Sequence, residues 1–105
     1  MSISLFDTRA VERLKKVRAH VIISGRVQGV FYRVNAKRMA DKIGVKGWIR
    51  NLPDGRVEAV FEGDEEAVKR MLSWCWIGPA GARVTNIDVE WEEYLGEYDS
   101  FRVLY

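Results

Sequence analysis

The chain has 105 residues, 48% of them apolar and 30% charged, which predicts one folded domain with its own hydrophobic core. Its single cysteine, Cys75, excludes an intramolecular disulfide and is typical of a reducing compartment. No apolar segment approaches the roughly 20 residues of a membrane-spanning helix, and the N-terminal residues do not resemble a secretory signal. We therefore expect a cytoplasmic protein without a membrane partner.

The positive charge of the chain is concentrated in one region. The formal net charge is only +2, which is too low for a general binder of polyanions. Between Glu12 and Asp41, however, there are eight Lys or Arg and no acid, whereas from Lys42 onward twelve acids oppose eight bases. This distribution is compatible with a site for a small anion and equally with a solvated basic surface.

The pattern of apolar residues and of helix- and turn-forming residues divides the chain into a short extension and a folded domain. Residues 1–16 are predicted to be an N-terminal extension, either a short helix capped by Asp7 or Thr8 or a frayed tail. Residues 17–105 are predicted to form the domain. Strands are predicted at 17–24, 45–50, 56–62, 82–93 and 101–105, and helices at 31–43 and 65–77.

Several residues are predicted to bound these elements. Gly44 ends the first helix, and Gly78 with Pro79 ends the second. In "NLPDG", Pro53 suits the second position of a β-turn and Gly55 the fourth.

The second helix and the strand before it are also predicted in detail. Gly63 is expected to interrupt the third strand, Asp64 to cap the second helix, and the acids of 62–66 to belong to the start of that helix. Val68, Met71, Leu72 and Cys75 are predicted to form the buried stripe of the helix.

The order of elements indicates an α+β fold. The order β-α-β-β-α-β, followed by an extra short C-terminal strand, predicts a ferredoxin-like split βαβ arrangement. Two helices would then lie on one face of an antiparallel sheet. Because this fold supports many unrelated functions, the function has to be inferred from the site.

The segment "SGRVQG" connects the first strand to the first helix and is a candidate anion site. Gly25 and Gly29 allow a tight turn that directs backbone N–H groups inward, and the helix N-terminus adds partial positive charge. Arg33, in the first turn of the helix, can extend back over this loop because helical side chains lean toward the N-terminus. The alternatives are an ordinary tight turn and a surface ion pair of Arg33.

Two segments, "GRVQGVFYR" and "GVKGWIRNLPDG", closely resemble the signature segments of acylphosphatases, and the similarity extends from Arg18 to Tyr105. The resemblance implies an enzyme that hydrolyses acyl phosphates to a carboxylate and inorganic phosphate without metal or cofactor. It matches Arg33 to the phosphate-binding arginine and Asn51 to the asparagine that orients the attacking water. The residues whose backbone N–H groups it matches to the phosphate cradle are Arg26, Val27, Gln28, Gly29, Val30 and Phe31.

The chemistry of this reaction agrees with the residues of the basic segment. The leaving group is a carboxylate whose acid has a pKa of about 4, so no general acid is needed. The basic segment holds no carboxylate to act as a base, and the resemblance implies that a phosphate oxygen of the substrate accepts the proton. From the residues alone, Asn51 is better explained as a turn residue, and His20 as a structural residue; the resemblance favours a role of Asn51 in orienting water. A lone histidine is not expected to provide a metal site.

Rival functions are less well supported by the sequence. An RNA-binding module of RRM type shares the order of elements, but "GRVEAVFEG" has one aromatic residue and two acids where stacked aromatics are required. An inactive regulatory domain and a piece of a larger carbamoyl-transferring protein remain alternatives. Because Arg33 and Asn51 are both present, we expect a free-standing, monomeric, active enzyme that does not bind nucleic acid.

Overall fold

The computed structural model describes residues 15–105. Nearly all of the predicted extension, including its possible caps at Asp7 and Thr8, lies outside the described residues. The elements are β1 Lys16–Arg26, α1 Tyr32–Ile43, β2 Lys46–Asn51, β3 Val57–Asp64, α2 Glu65–Ile77, β4 Arg83–Glu92 and β5 Phe101–Val103. This order confirms the predicted α+β, ferredoxin-like arrangement with an extra C-terminal strand.

The five strands form one sheet in the order β4-β1-β3-β2-β5. The four strands of the ferredoxin-like unit pair antiparallel, as predicted. The short β5 pairs parallel to β2, from Gly47 opposite Phe101 to Ile49 opposite Val103, so the complete sheet is mixed. This pairing brings the C-terminus of the chain beside the end of β2.

The core lies between the two helices and one face of the sheet. Alternate residues of β1 and β3 point into it, as their two-residue period requires. On α1 the buried residues are Tyr32, Ala36 and Ala40, and on α2 they are Val68, Met71 and Cys75. Burying each large apolar side chain stabilises the fold by about 1.5–3 kcal/mol. The predicted stripe is thus confirmed, with Leu72 packed at its margin.

The predicted ends of the helices and the predicted turn between β2 and β3 are confirmed. Gly44 and Gly78 close the two helices by donating their N–H groups to the carbonyls of Ala40 and Trp74, each at 2.8 Å. The N–H of Gly55 donates to the carbonyl of Leu52 at 3.2 Å, which places Pro53 at the second position of the turn between β2 and β3. None of the helices in residues 15–105 is long and apolar enough to cross a membrane.

Two predictions around the start of α2 were wrong. β3 does not end at Gly63 but continues to Asp64, because both residues still pair with β1, opposite Val17 and Lys16. The Asp64 side chain makes no capping hydrogen bond to α2. Its carboxylate instead accepts a hydrogen bond from Lys16 Nζ at 2.5 Å, on the neighbouring strand.

Glu62 also differs from its predicted role at the start of α2. It lies in β3 on the sheet face opposite the helices, and only 2% of its side chain is exposed. Its carboxylate accepts hydrogen bonds from Arg18 at 3.1 Å and from the backbone N–H groups of Leu95 and Gly96 at 3.0 and 3.3 Å. These bonds attach the connection between β4 and β5 to the sheet. Glu62 is therefore a residue of the sheet and not of the start of α2.

Candidate active site

The two predicted site segments meet at a pocket of about 390 Å³. The pocket lies where β1 gives way to α1 and where β2 ends, so the sheet brings together residues that are far apart in sequence. Its lining residues are Val27, Gln28, Gly29, Phe31, Tyr32, Arg33, Val34, Asn51 and Tyr105. Arg33 and Asn51 therefore share one cavity. Arg26 and Val30, which were predicted to contribute backbone N–H groups, are not among the lining residues.

The backbone of the loop packs closely against β4 and leaves consecutive N–H groups unpaired. A Cβ at Gly25, whose φ is 120°, would lie 2.1 Å from the carbonyl oxygen of Arg83, so only glycine fits where β1 and β4 shift register. Gly29 has a φ of 75° and Phe31 a φ of 64°. The N–H groups of 27–31 donate to no protein acceptor within residues 15–105. Such consecutive donors at a helix N-terminus form an anion-binding concavity.

Phe31 adopts a left-handed backbone conformation that the sequence did not predict. It is the only non-glycine residue with positive φ in the described chain, and this conformation costs an aromatic residue about 1–2 kcal/mol. Asn35 supports it, because its Nδ2 and its backbone N–H donate to the Phe31 carbonyl at 2.8 and 3.2 Å. Asn35 is thus a supporting residue of the loop that sequence reasoning missed.

Arg33 is held at the pocket by the C-terminus of the chain. Its Nη1 donates to the carbonyl of Leu104 at 3.0 Å, and its guanidinium lies 4.7 Å from the ring centroid of Tyr105. The N–H of Leu104 in turn donates to the carbonyl of Ile49 in β2 at 2.8 Å. Arg33 forms no ion pair with any residue of 15–105, so the surface ion pair considered from sequence is absent there.

Asn51, the last residue of β2, presents an unusual side chain. Its Oδ1 is inaccessible to solvent and accepts no hydrogen bond from any residue that the structure describes. The turn role that the sequence left open belongs instead to Asp54, whose Oδ1 accepts from the N–H of Arg56 at 3.1 Å. An unpaired buried acceptor is destabilising by about 1–3 kcal/mol, which is typical of a functional position.

Gln28 links the two halves of the pocket. From the loop, its Nε2 donates to the carbonyls of Leu52 at 2.8 Å and of Arg56 at 2.9 Å, both in the turn that follows Asn51. The side chain thereby fixes the distance between the loop amides and Asn51. The sequence predicted only a backbone role for Gln28, and nothing in the local sequence identifies its distant partners.

The pocket has no side chain that could act as a general base. No Asp, Glu or His of residues 15–105 lines it, and Arg33 is its only ionised side chain among those residues. Tyr32 lines the pocket, but its hydroxyl points away and donates to the carbonyl of Cys75 at 2.6 Å. The electrostatic environment thus favours a bound anion.

His20 lies outside the pocket, on the sheet face opposite the helices, where its Nε2 is 2.6 Å from Glu58 Oε2. This contact supports the predicted structural role. Glu90 and Glu92 of β4 place carboxylate oxygens within 4.8 Å of one another and of a ring nitrogen of His20. None of these residues belongs to the pocket.

Comparisons with known proteins agree on one family. The acylphosphatase family model matches residues 19–103. An acylphosphatase of Roseiflexus sp. is 57% identical over 88 residues, covering 84% of this chain and 95% of the relative. One of Pelotomaculum thermopropionicum is 49% identical over 92 residues, covering 88% and 100%. The solved acylphosphatase of Coxiella burnetii superposes with a TM-score of 0.82 at 35% identity, covering 87% of this chain and 95% of that structure.

Proposed function

Because the chain belongs to the acylphosphatase family and hydrolyses acyl phosphates, we propose that the pocket around Arg33 and Asn51 is its active site. In this proposal the backbone N–H groups of 27–31, which donate to no protein acceptor in residues 15–105, and the Arg33 guanidinium hold the phosphoryl group. Asn51 orients the attacking water. One observation carries the proposal. Arg33 and Asn51 line the same pocket as the loop, whose backbone N–H groups donate to no protein acceptor in residues 15–105.

The phosphoryl group is bound by fixed positive charge and fixed dipoles. The loop N–H groups and the helix N-terminus complement the negative charge of the phosphate, and the planar Arg33 fork contributes paired donors. Phosphoryl transfer mainly requires positioning and stabilisation of charge on the equatorial oxygens. The bond to Leu104 occupies one guanidinium donor and leaves the others for the phosphate.

The water attacks phosphorus as the acyl oxygen departs. The bond from the water oxygen to phosphorus forms, and the bond from phosphorus to the acyl oxygen breaks and leaves its electron pair on the carboxylate. The side-chain amide of Asn51 orients this water: its Nδ2 donates a hydrogen bond to the water oxygen. A nonbridging phosphate oxygen of the substrate receives the proton, because no side-chain carboxylate or imidazole of residues 15–105 lines the pocket. The products are a carboxylate and inorganic phosphate.

The finer features of this enzyme are also part of the proposal. We propose a monomer as the active form. We infer a cytoplasmic enzyme that requires no metal and no nucleic acid. Analytical ultracentrifugation tests the monomer, and retention of activity in EDTA tests the metal-free mechanism.

The residue assignments are tested by hydrolysis of benzoyl phosphate and acetyl phosphate. Asn51→Ala is expected to lower kcat by about 10²-fold or more with little change in KM, the scale of losing one preorganised polar group. Arg33→Ala is expected to weaken phosphate inhibition and to lower kcat/KM. The matched control Arg70→Ala changes an exposed arginine of α2 and should leave both parameters unchanged.

The outcome of the asparagine variant distinguishes a role in orienting water from a role in folding. If Asn51→Ala keeps full kcat but unfolds at lower temperature, Asn51 is a structural residue and the proposed role is wrong. If neither substrate is hydrolysed by the folded, unmodified protein, the assignment of the reaction fails as a whole. Substantial loss of activity in EDTA would contradict the metal-free mechanism.

A further inference from the structure

A second hollow, of about 510 Å³, adjoins the active-site pocket on the outer side of α1. The two hollows share the side chains of Phe31 and Val34. The far wall of the second is formed by the 79–81 segment, "PAG", which follows α2. Its walls are thus mainly apolar, with Asn35 and Arg38 as its polar members. We propose that this second hollow binds the acyl group of the substrate and favours aromatic or extended apolar acyl phosphates.

The exposure of Phe31 is the first argument for this site. Phe31 is 77% exposed and Val34 is 41% exposed, although Val30 and Tyr32 beside Phe31 are buried in the core. Phe31 also carries the left-handed backbone, whereas glycine would relieve that strain without exposing an aromatic ring. A strained, exposed aromatic residue at the edge of a binding pocket is explained if the ring contacts a ligand.

The direction of the reaction is the second argument, and it rests on the proposed function. The attacking water and the leaving oxygen lie on opposite sides of phosphorus in an in-line displacement. Asn51 lines the first pocket only, whereas Phe31 and Val34 line both the pocket and the hollow. In the proposed arrangement the water lies at Asn51 and the leaving oxygen lies across phosphorus from it. The acyl group then leaves the loop on the side of Phe31 and Val34. The hydrocarbon part of the acyl group is removed from water by these two side chains.

Two substrate analogues that cannot be hydrolysed test this site independently of turnover. Phenacylphosphonate and acetonylphosphonate replace the scissile oxygen by a methylene group and differ only in phenyl against methyl. Dissociation constants are measured by calorimetry for the unmodified protein and for Phe31→Ala and Val34→Ala. Ile77→Ala is the matched control, because Ile77 is 73% exposed at the end of α2 and lines neither hollow.

We expect the unmodified protein to bind the phenyl analogue more tightly than the methyl analogue. Phe31→Ala should weaken the phenyl analogue by about 5- to 10-fold more than the methyl analogue, the scale of one aromatic contact. Val34→Ala should show a smaller difference of the same sign, and Ile77→Ala none. Binding of inorganic phosphate should be unchanged in Val34→Ala and Ile77→Ala, because neither residue belongs to the phosphate-binding loop.

Two results would overturn the acyl site. One is equal affinity of the unmodified protein for the two analogues. The other is an equal loss for both analogues in Phe31→Ala, which would mean that Phe31 only shapes the loop. The proposed residue roles fail by a different result, since they are judged by the hydrolysis rates of Asn51→Ala and Arg33→Ala. The acyl site is judged only by the ratio of the two dissociation constants.

Discussion

The hydroxyl of Tyr32 offers a sharp test of how the two helices are joined. It donates to the carbonyl of Cys75 at 2.6 Å, near the end of α2. The next donor along a continued helix would come from residue 79, which is proline and has no N–H. Tyr32 therefore supplies the hydrogen bond that this carbonyl cannot obtain from its own helix. We predict that Tyr32→Phe destabilises the protein while leaving the active site intact.

The size of the effect follows from burial. Tyr32 is 1% exposed and Cys75 is 0% exposed, so water cannot replace the lost donor. Leaving a buried carbonyl unpaired costs about 1–3 kcal/mol, and we expect about 2 kcal/mol. In a domain of this size each kcal/mol lowers Tm by roughly 4–8 °C, which predicts a fall of roughly 8–16 °C. Burial also raises the pKa of the Tyr32 hydroxyl far above its usual value, so the effect should not vary between about pH 5 and 9.

Thermal and urea unfolding, followed by circular dichroism, measure this loss. Tyr94→Phe is the matched control, because its ring is 40% exposed and a surface change of this kind alters stability by less than about 0.5 kcal/mol. At temperatures well below Tm, Tyr32→Phe should hydrolyse benzoyl phosphate at nearly the unmodified rate. An unchanged Tm would refute the structural argument. A tenfold fall in kcat at a temperature where the variant is fully folded would show that the hydroxyl takes part in the reaction.

Three further predictions concern other polar groups. Gln28→Met keeps the length of the side chain but removes the N–H groups that donate to Leu52 and Arg56, so kcat/KM should fall by roughly 10- to 100-fold; an unchanged value would exclude a positioning role. Burial raises the pKa of the Cys75 thiol to about 12, so a thiol reagent at pH 8 should label it only after unfolding, and rapid labelling of the native protein would contradict its burial. Burial alone would raise the pKa of Glu58, but hydrogen bonds from His20 and Arg50 lower it below its usual 4.5. The ionised Glu58 therefore stabilises the fold above pH 4.5, and this stabilisation is lost as the pH falls further. The difference in free energy of unfolding between Glu58→Gln and the unmodified protein, measured in urea, should shrink below pH 4.5. A difference independent of pH would contradict this.

The features that sequence predicted correctly depend on residues close together in the chain. Alternation along the strands, the stripe on α2, the turn at Pro53 and the stops at Gly44 and Gly78 are all local patterns, and the structure confirms them. Local rules failed at Gly63 and Asp64. There, pairing with β1 extends the strand across a glycine, and Lys16 competes for the carboxylate that would otherwise cap α2.

The supporting contacts of the site could not be predicted, because they join distant segments. Gln28 contacts a turn 24 residues away, and Arg33 contacts the carbonyl of Leu104, 71 residues away. A backbone carbonyl has no sequence signature, so nothing in the chain identifies Leu104 as a partner. The left-handed Phe31 was equally hidden, because positive φ is expected of glycine and not of an aromatic residue.

The short β5 explains how one strand positions both proposed catalytic residues. The parallel pairing of β5 with β2 delivers Leu104 to the carbonyl of Ile49, and the carbonyl of Leu104 then holds Arg33. Asn51 lies on the same strand, two residues beyond Ile49. The positions of Arg33 and Asn51 are therefore both fixed relative to β2, although Arg33 belongs to α1 and Asn51 to the sheet. The extra strand thus contributes directly to the geometry of the proposed active site.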